Sequence, residues 1–337
     1  MPECVLVTEP EYLKGEEIFA IVEDLELVRI GVEEQELADA ILARNVRAVI
    51  IGHNRYTGPL YAALKRTGTA SGAILARFGV GHDGLDKVQT RAHGIAVTNT
   101  PGTLDASVAE HVFWLLGGLV KRLPQLDARF RGGQFTGCTG VELCGQTLGL
   151  LGFGGIARQV ARIAHFGLGM RVLACGRRSA EQLERDEGRP WSGLLVRWGL
   201  AEYTTDPDRI CRESDAISIH LPAQADTLQF VDARRLALLK RTAWLINTSR
   251  GSVVDEAALY DALHGGRIAG AGLDVFQAEP YLPVAPDKDL RQLDNVLLTP
   301  HVGSNTRAAN RRMAEASLAN VRAFLAGRLD QLTRVDR

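Results

Sequence analysis

The sequence predicts an α/β chain made of two doubly wound parallel-sheet domains. Short apolar strand-like runs alternate with helical stretches almost throughout, the rhythm of parallel α/β architecture. The alternation breaks at Asn99-Thr100-Pro101-Gly102 and resumes beyond a long helical stretch, which separates two blocks. The length of 337 residues suits two domains of ordinary size, and 46% apolar residues can fill two cores.

In the first block the strands read as Cys4–Val7, Leu27–Ile30, Ala48–Ile51, Ala73–Ala76 and Ala96–Thr98. Helices fill Gly15–Glu23, Glu34–Asn45 and Leu60–Thr67. A long helix then runs from Ser107 to Leu123 and ends at Pro124, whose ring and missing N–H stop a helix. Loops follow at Arg131-Gly132-Gly133-Gln134 and Gly137-Cys138-Thr139-Gly140. The second block carries strands Thr147–Leu151, Met170–Cys175, Ala216–His220, Ala243–Asn247, Gly270–Val275 and Val296–Leu298. A last helix, Asn305 to Ala326, follows Pro300 and is placed to return to the first block.

Composition excludes several classes. A formal net charge of −1 lacks the basic field of a nucleic-acid protein. The five cysteines, Cys4, Cys138, Cys144, Cys175 and Cys211, have no metal-type spacing and read as reduced thiols of a cytoplasmic protein. Met1-Pro2-Glu3-Cys4-Val5 has no basic stretch leading into an apolar core, so no signal peptide is expected. The apolar run Val112–Val120 is too short to cross a bilayer. Asn247-Thr248-Ser249 matches a glycosylation acceptor, but it ends an apolar strand and is set aside. The expectation is no metal, no membrane and no nucleic acid.

The strongest local motif is Gly152-Phe153-Gly154-Gly155-Ile156-Ala157, between the strand Thr147–Leu151 and a helix over Ile156–His165. Gly152 permits the tight turn, Gly154 lets a pyrophosphate approach the backbone, and Ala157 keeps helix and strand close. The N–H groups and positive dipole end that open the helix, at Gly155 and Ile156, then face phosphate charge. Alone the motif also describes a ligand-free turn; its strand–helix context favours a dinucleotide. At the tip of the next strand, where a carboxylate would hold a ribose hydroxyl, stand Arg177, Arg178 and Ser179. Two guanidiniums and a hydroxyl suit a 2′-phosphate, which predicts NADP over NAD. The alternative is a pair of solvated loop charges.

Three later segments place ionisable groups after strands: Asn247-Thr248-Ser249-Arg250-Gly251, Gly272-Leu273-Asp274 through Glu279-Pro280, and Leu298-Thr299-Pro300-His301. Open α/β sheets bind ligands at the carboxyl ends of their strands, so Arg250, Glu279 and His301 can converge. Singly, each also reads as an ordinary polar residue.

With these segments, Arg77 to Asp86, Val97 to Gly102 and Ser214 to Pro222 complete an ordered set of motifs over nearly the whole chain. The set resembles the D-isomer-specific 2-hydroxyacid dehydrogenase family, which includes glyoxylate/hydroxypyruvate reductases and phosphoglycerate dehydrogenases. The resemblance implies a hydride transfer between the cofactor and a small 2-oxo or 2-hydroxy acid. Arg250 would hold the substrate carboxylate and His301 would be the general acid or base. Glu279 would pair with the second ring nitrogen of His301 and favour the imidazolium. Backbone N–H groups at Val80 and Gly81 would bind carboxylate oxygens. Asp274 would meet the nicotinamide carboxamide, and His220, Leu221, Pro222 and Thr248 would line the cofactor.

The family's topology implies a Rossmann dinucleotide-binding domain, 101–298, inserted in a flavodoxin-like substrate domain formed by 1–100 and 299–337. It also implies a homodimer built on the helix near Ser107–Leu123. Phe113 and Trp114 fit such an interface and fit an internal core equally well. Two stretches depart from the family pattern. Ala180–Gly199 is longer than usual; it either folds over the adenosine end or is a tolerated surface insertion, and the insertion is favoured. The loop Gly52 to Thr57 carries His53 and Arg55, which either bind a second anionic group on the substrate or are solvated. Some relatives are dinucleotide-regulated corepressors, which is the alternative reading; the chain lacks the long terminal extensions expected of one.

Overall fold

The computed structural model describes residues 2–68 and 72–335. The chain divides into two compact units, Met1–Leu104 with Asn305–Arg337, and Asp105–Ser304. The division falls beyond the expected 100/101 and 298/299 positions. Thr299 to Gly303 go with the second unit because Asp274 of that unit accepts hydrogen bonds from the Thr299 hydroxyl and from the N–H groups of Val302 and Gly303.

The first unit holds a five-stranded parallel sheet of β1 (Glu3–Thr8), β2 (Leu25–Ile30), β3 (Ala48–Ile51), β4 (Ala73–Arg77) and β5 (Ile95–Thr98). The strand order is β2-β1-β3-β4-β5, the flavodoxin-like winding. Every residue of β3, β4 and β5 is buried. Parallel sheets covered by helices on both faces need such continuous apolar runs, which is why these strands were visible in the sequence. The helix Arg307–Leu325 returns to this unit as expected. Its Asn320 amide donates to Asn99 O at 3.2 Å, and Arg322 pairs with Asp24 at 2.6 Å.

The second unit holds a seven-stranded parallel sheet of β6 (Thr147–Leu151), β7 (Arg171–Cys175), β8 (Glu202–Thr204), β9 (Ala216–Ile219), β10 (Trp244–Asn247), β11 (Gly270–Leu273) and β12 (Val296–Leu298). Its order, β12-β11-β10-β9-β6-β7-β8, is the Rossmann order with one further strand. The helix Asp105–Val120 buries Ala109, Val112 and Leu116 in one cluster with Ala157, Val160 and Ala161 of the helix Gly155–Arg162.

Four readings change. The helix expected at Gly15–Glu23 is instead Glu9–Lys14 followed by Glu16–Phe19, because Pro10 fits a first helical turn and Gly15 ends it. Pro124 opens a helix, Leu123–Arg131, for the same reason. The edge strand β8 was not foreseen, since its Glu202, Tyr203 and Thr204 carry no apolar run. The 180–199 stretch is not a loose surface insertion. It forms helices Ala180–Glu187 and Trp191–Trp198, and buries Leu183, Leu194 and Trp198. Trp198 meets Phe153 edge-on at 5.1 Å, and Arg158 lies 4.5 Å over the Trp198 ring while pairing with Glu187 at 2.6 Å.

Candidate active site

The glycine turn begins where β6 ends. Gly152 has φ +93, and a Cβ there would lie 2.4 Å from His220 O, so only glycine fits. At Gly154 an added Cβ would meet nothing within 4 Å. The helix Gly155–Arg162 starts with no side-chain cap, which leaves its first N–H groups without a side-chain acceptor. Such a cradle fits a dinucleotide's pyrophosphate. Ala157 is fully buried, as helix–strand packing requires. Gly155 has a separate reason: a Cβ there would sit 2.1 Å from Asp105 Oδ2. Burial holds the Asp105 carboxyl above its ordinary range.

At the tip of β7, Arg177 pairs with Asp226 at 3.2 Å and Arg178 with Asp186 at 2.7 Å. Ser179 caps the helix Ala180–Glu187 in a reciprocal capping box with Gln182. All four charged groups are exposed. Exposed pairs of this kind contribute about 0–1 kcal/mol, so both guanidiniums are open to a stronger anion. His220 follows β9, and its Nε2 lies 2.9 Å from Ser218 Oγ. Burial drives its pKa down to about 3. The loop Leu221-Pro222 is shaped by the Thr227 hydroxyl, which donates to Pro222 O at 2.5 Å. The buried Thr248 Oγ1 has no protein partner, which fits a polar group bound beside it.

The three catalytic candidates follow adjacent strands, β10, β11 and β12. Asn247 organises the loop that carries Arg250: its Oδ1 accepts from Ser249 N and Oγ at 3.1 and 2.8 Å, and its Nδ2 donates to Arg250 O at 3.0 Å. A Cβ on Gly251 would lie 1.9 Å from Phe276 C, so this loop packs backbone to backbone on the segment leading to Glu279. Glu279 Oε1 accepts the Phe276 N–H at 3.0 Å, and its Oε2 lies 2.7 Å from His301 Nδ1. That pairing commits Nδ1 to the carboxylate and fixes which ring edge faces Glu279. His301 itself has φ +53, a left-handed conformation uncommon outside glycine. Its N–H donates to Asp274 O at 2.8 Å. The Asp274 carboxyl is buried, which raises its pKa, but donors from His111, Thr299, Val302 and Gly303 outweigh burial and the net shift is downward.

In the first unit, Val80 and Gly81 lie in the loop after β4. Asn99 Nδ2 donates to Val80 O at 2.9 Å and Thr100 N to Gly79 O at 3.1 Å. Arg55 is exposed on the loop after β3, whose far side is tied down by Glu34 accepting from Thr57 N at 2.9 Å and Gly58 N at 2.8 Å. Among the described residues no group of three or more His, Cys, Asp or Glu could hold a metal ion, and no helix is long and apolar enough to cross a membrane.

Residues 113–303 match the family model described as D-isomer specific 2-hydroxyacid dehydrogenase, NAD binding domain. The chain belongs to this family. Among its relatives, a glyoxylate reductase of Korarchaeum cryptofilum is 38% identical over 262 residues, covering 76% of this chain and 74% of that protein. A glyoxylate reductase of Thermococcus litoralis is 39% identical over 265 residues, covering 76% and 75%. A solved NADPH-dependent glyoxylate/hydroxypyruvate reductase from Sinorhizobium meliloti, in complex with NADP and malonate, is 33% identical with TM-score 0.77, covering 97% of this chain and 94% of that one. A D-lactate dehydrogenase from Aquifex aeolicus, complexed with NAD and lactic acid, is 30% identical with TM-score 0.78, covering 99% of each chain.

As a member of a 2-hydroxyacid dehydrogenase family with a Rossmann domain, the chain is a nicotinamide-linked oxidoreductase. The contacts of several residues around the family motifs carry no sequence signal. Asn247, Gly251, Thr299 and His111 act on their neighbours through tertiary contacts, and Asp186 and Asp226 reach the arginine tip from other segments. Asn247 and Thr299 were visible as polar residues at strand ends; His111, inside a helix, carried no such signal.

Proposed function

We propose that this chain reduces a small 2-oxo acid with NADPH, and that His301 delivers the proton. The observation that carries the reading is the 2.7 Å Glu279–His301 pair at the carboxyl end of the sheet that holds the glycine turn. The dinucleotide supplies the hydride. Arg250 holds the substrate carboxylate by a two-point hydrogen bond. His301 Nε2 gives its proton to the oxo oxygen as charge develops there, and Glu279 stabilises the resulting orientation and charge. Val80 and Gly81 contribute backbone N–H donors to the carboxylate. Thr248, Asp274 and the His220-Leu221-Pro222 loop line the nicotinamide half.

NADPH is favoured over NADH because β7 ends in Arg177, Arg178 and Ser179 with no carboxylate at its own tip. The relative solved with NADP supports this; the relative solved with NAD shows that both cofactors occur on this fold. Arg55 is assigned to a second anionic group on the substrate. It is exposed, and malonate in the solved relative carries two carboxylates. A homodimer is proposed on the helix Asp105–Val120 and the segment after it. Trp114 is 71% exposed and Phe135 91% exposed, and large exposed aromatics mark interaction surfaces.

The test is a panel of 2-oxo acids assayed with NADPH and with NADH. The proposal expects turnover, a higher kcat/KM with NADPH, and a preference for anion-bearing oxo acids that Arg55→Ala removes. Negligible turnover throughout would reject the enzyme reading, and an NADH preference would reject the cofactor assignment.

A further inference from the structure

We propose that His111 is a positioning residue for His301, acting through a hydrogen-bonded chain that ends on the backbone of residues 301–303. The proposal rests on reading His301 as the proton donor. His111 lies on the helix Asp105–Val120, remote in sequence from that loop. Its Nε2 is 3.0 Å from Thr299 Oγ1 and 3.3 Å from Asp274 Oδ1. Thr299 Oγ1 gives its only proton to Asp274 Oδ1 at 2.6 Å, so toward His111 it accepts. His111 therefore carries its proton on Nε2.

Asp274 is the hub of the chain. Its Oδ1 takes the Val302 N–H at 2.9 Å, its Oδ2 takes the Gly303 N–H at 2.8 Å, and its carbonyl takes the His301 N–H at 2.8 Å. The Asp274 side chain thus grips Val302 and Gly303 and its backbone carbonyl grips His301, which occupies a left-handed backbone region. Gly303 is part of the fit: a Cβ there would lie 2.9 Å from Asp274 Oδ2 and 3.3 Å from the His111 ring. Among the described residues, His111 is the titratable side chain within ion-pairing reach of Asp274. The remaining donors to that carboxylate are the Thr299 hydroxyl and the two backbone N–H groups.

Removing the Nε2–H leaves Thr299 Oγ1 without its donor and the buried carboxylate with fewer. Small displacements of a reacting group are costly; a shift of about 1 Å is worth roughly 100-fold in rate. The account therefore expects His111→Leu to lower kcat on the order of 10-fold. It expects His111→Gln, which presents an amide N–H, to recover most of the loss. It also expects His111→Leu to move the His301 limb of the pH–rate profile.

The experiment compares wild type, His111→Leu and His111→Gln for kcat, pH profile, NADPH Kd and thermal melting, with nitrogen-labelled histidine NMR reporting the His301 ring directly. Loss of kcat together with a displaced pH limb and rescue by Gln supports the chain. A wild-type pH limb and ring titration in His111→Leu overturns it, as does a loss of turnover that only tracks the folded fraction. The NMR arm needs no turnover. A His301 ring moved by His111→Leu, in an enzyme whose His301→Ala variant stays active, would reject the proton-donor reading while leaving the positioning chain in place.

Discussion

The two units wind their sheets alike but charge the crevice at the reversal point in opposite ways. Each sheet has a point where the chain reverses direction, between β1 and β3 in the first unit and between β6 and β9 in the second. After β6 comes a run of glycines and a helix with no side-chain cap. After β1 comes Thr8-Glu9-Pro10-Glu11. Proline removes one N–H, Glu9 and Glu11 occupy the first helical turn, and the Thr8 hydroxyl donates to the buried Glu11 carboxylate at 2.5 Å. The loop after β3 closes on the same acid, since a Cβ on Gly52 would lie 2.3 Å from Glu11 Oε1. One crevice presents bare backbone N–H groups and the other is filled by its own carboxylate. Topology sets where a ligand site can form; the first residues after the strand decide its charge.

The contrast can be broken most severely at Gly152. Gly152→Val forces a branched side chain into positive φ and onto His220 O, and is expected to cost several kcal/mol. Denaturant unfolding would read it, and wild-type stability would contradict the account.

A second prediction concerns the histidine that closes against the open turn. His220 is held neutral in the fold, with a pKa of about 3 against an ordinary 6.5. The unfolded chain takes up a proton below 6.5 that the native chain refuses. Stability is therefore intact above that pH and falls as pH drops from 6.5 toward 3, by up to about 1.4 kcal/mol per unit. Denaturant unfolding at neutral and mildly acidic pH should show a steeper acid loss in wild type than in His220→Gln. Equal slopes would remove His220 from the explanation.

Gly154→Ala sharpens the comparison. The site has room for the methyl group, so folding stability should change by less than about 1 kcal/mol while NADPH affinity falls on the order of 10-fold. Titration of NADPH fluorescence and thermal melting separate the two; unchanged affinity would show that the open space is not the phosphate cradle. The smallest effect is expected at Asp226→Asn, which releases Arg177 from an exposed pair. NADPH Kd should tighten a few-fold with NADH Kd unchanged. Equal effects on both cofactors would place Arg177 away from the 2′-phosphate.

Much of this was readable before any coordinates because the buried parallel strands are short continuous apolar runs. The glycine turn directly follows such a run, and Arg250, Glu279 and His301 lie within a few residues of the ends of β10, β11 and β12. What stayed hidden depends on contacts between distant segments. The Trp191–Trp198 helix looked like surface until Trp198 was seen against Phe153 and Arg158. His111 looked like one more helical residue until Thr299 was placed beside it. The helix boundary at Pro124 failed because proline marks a first turn as well as a stop.

The central claim is that the Glu279–His301 pair moves the proton during reduction of a 2-oxo acid. The direct measurement is kcat for NADPH-dependent glyoxylate reduction across pH in wild type, His301→Ala and Glu279→Gln. The account predicts a loss of roughly 10²–10⁴-fold in His301→Ala. In Glu279→Gln it predicts a loss on the order of 10-fold, because the ring loses the carboxylate that orients it. Near-wild-type kcat in His301→Ala and in Glu279→Gln would contradict it.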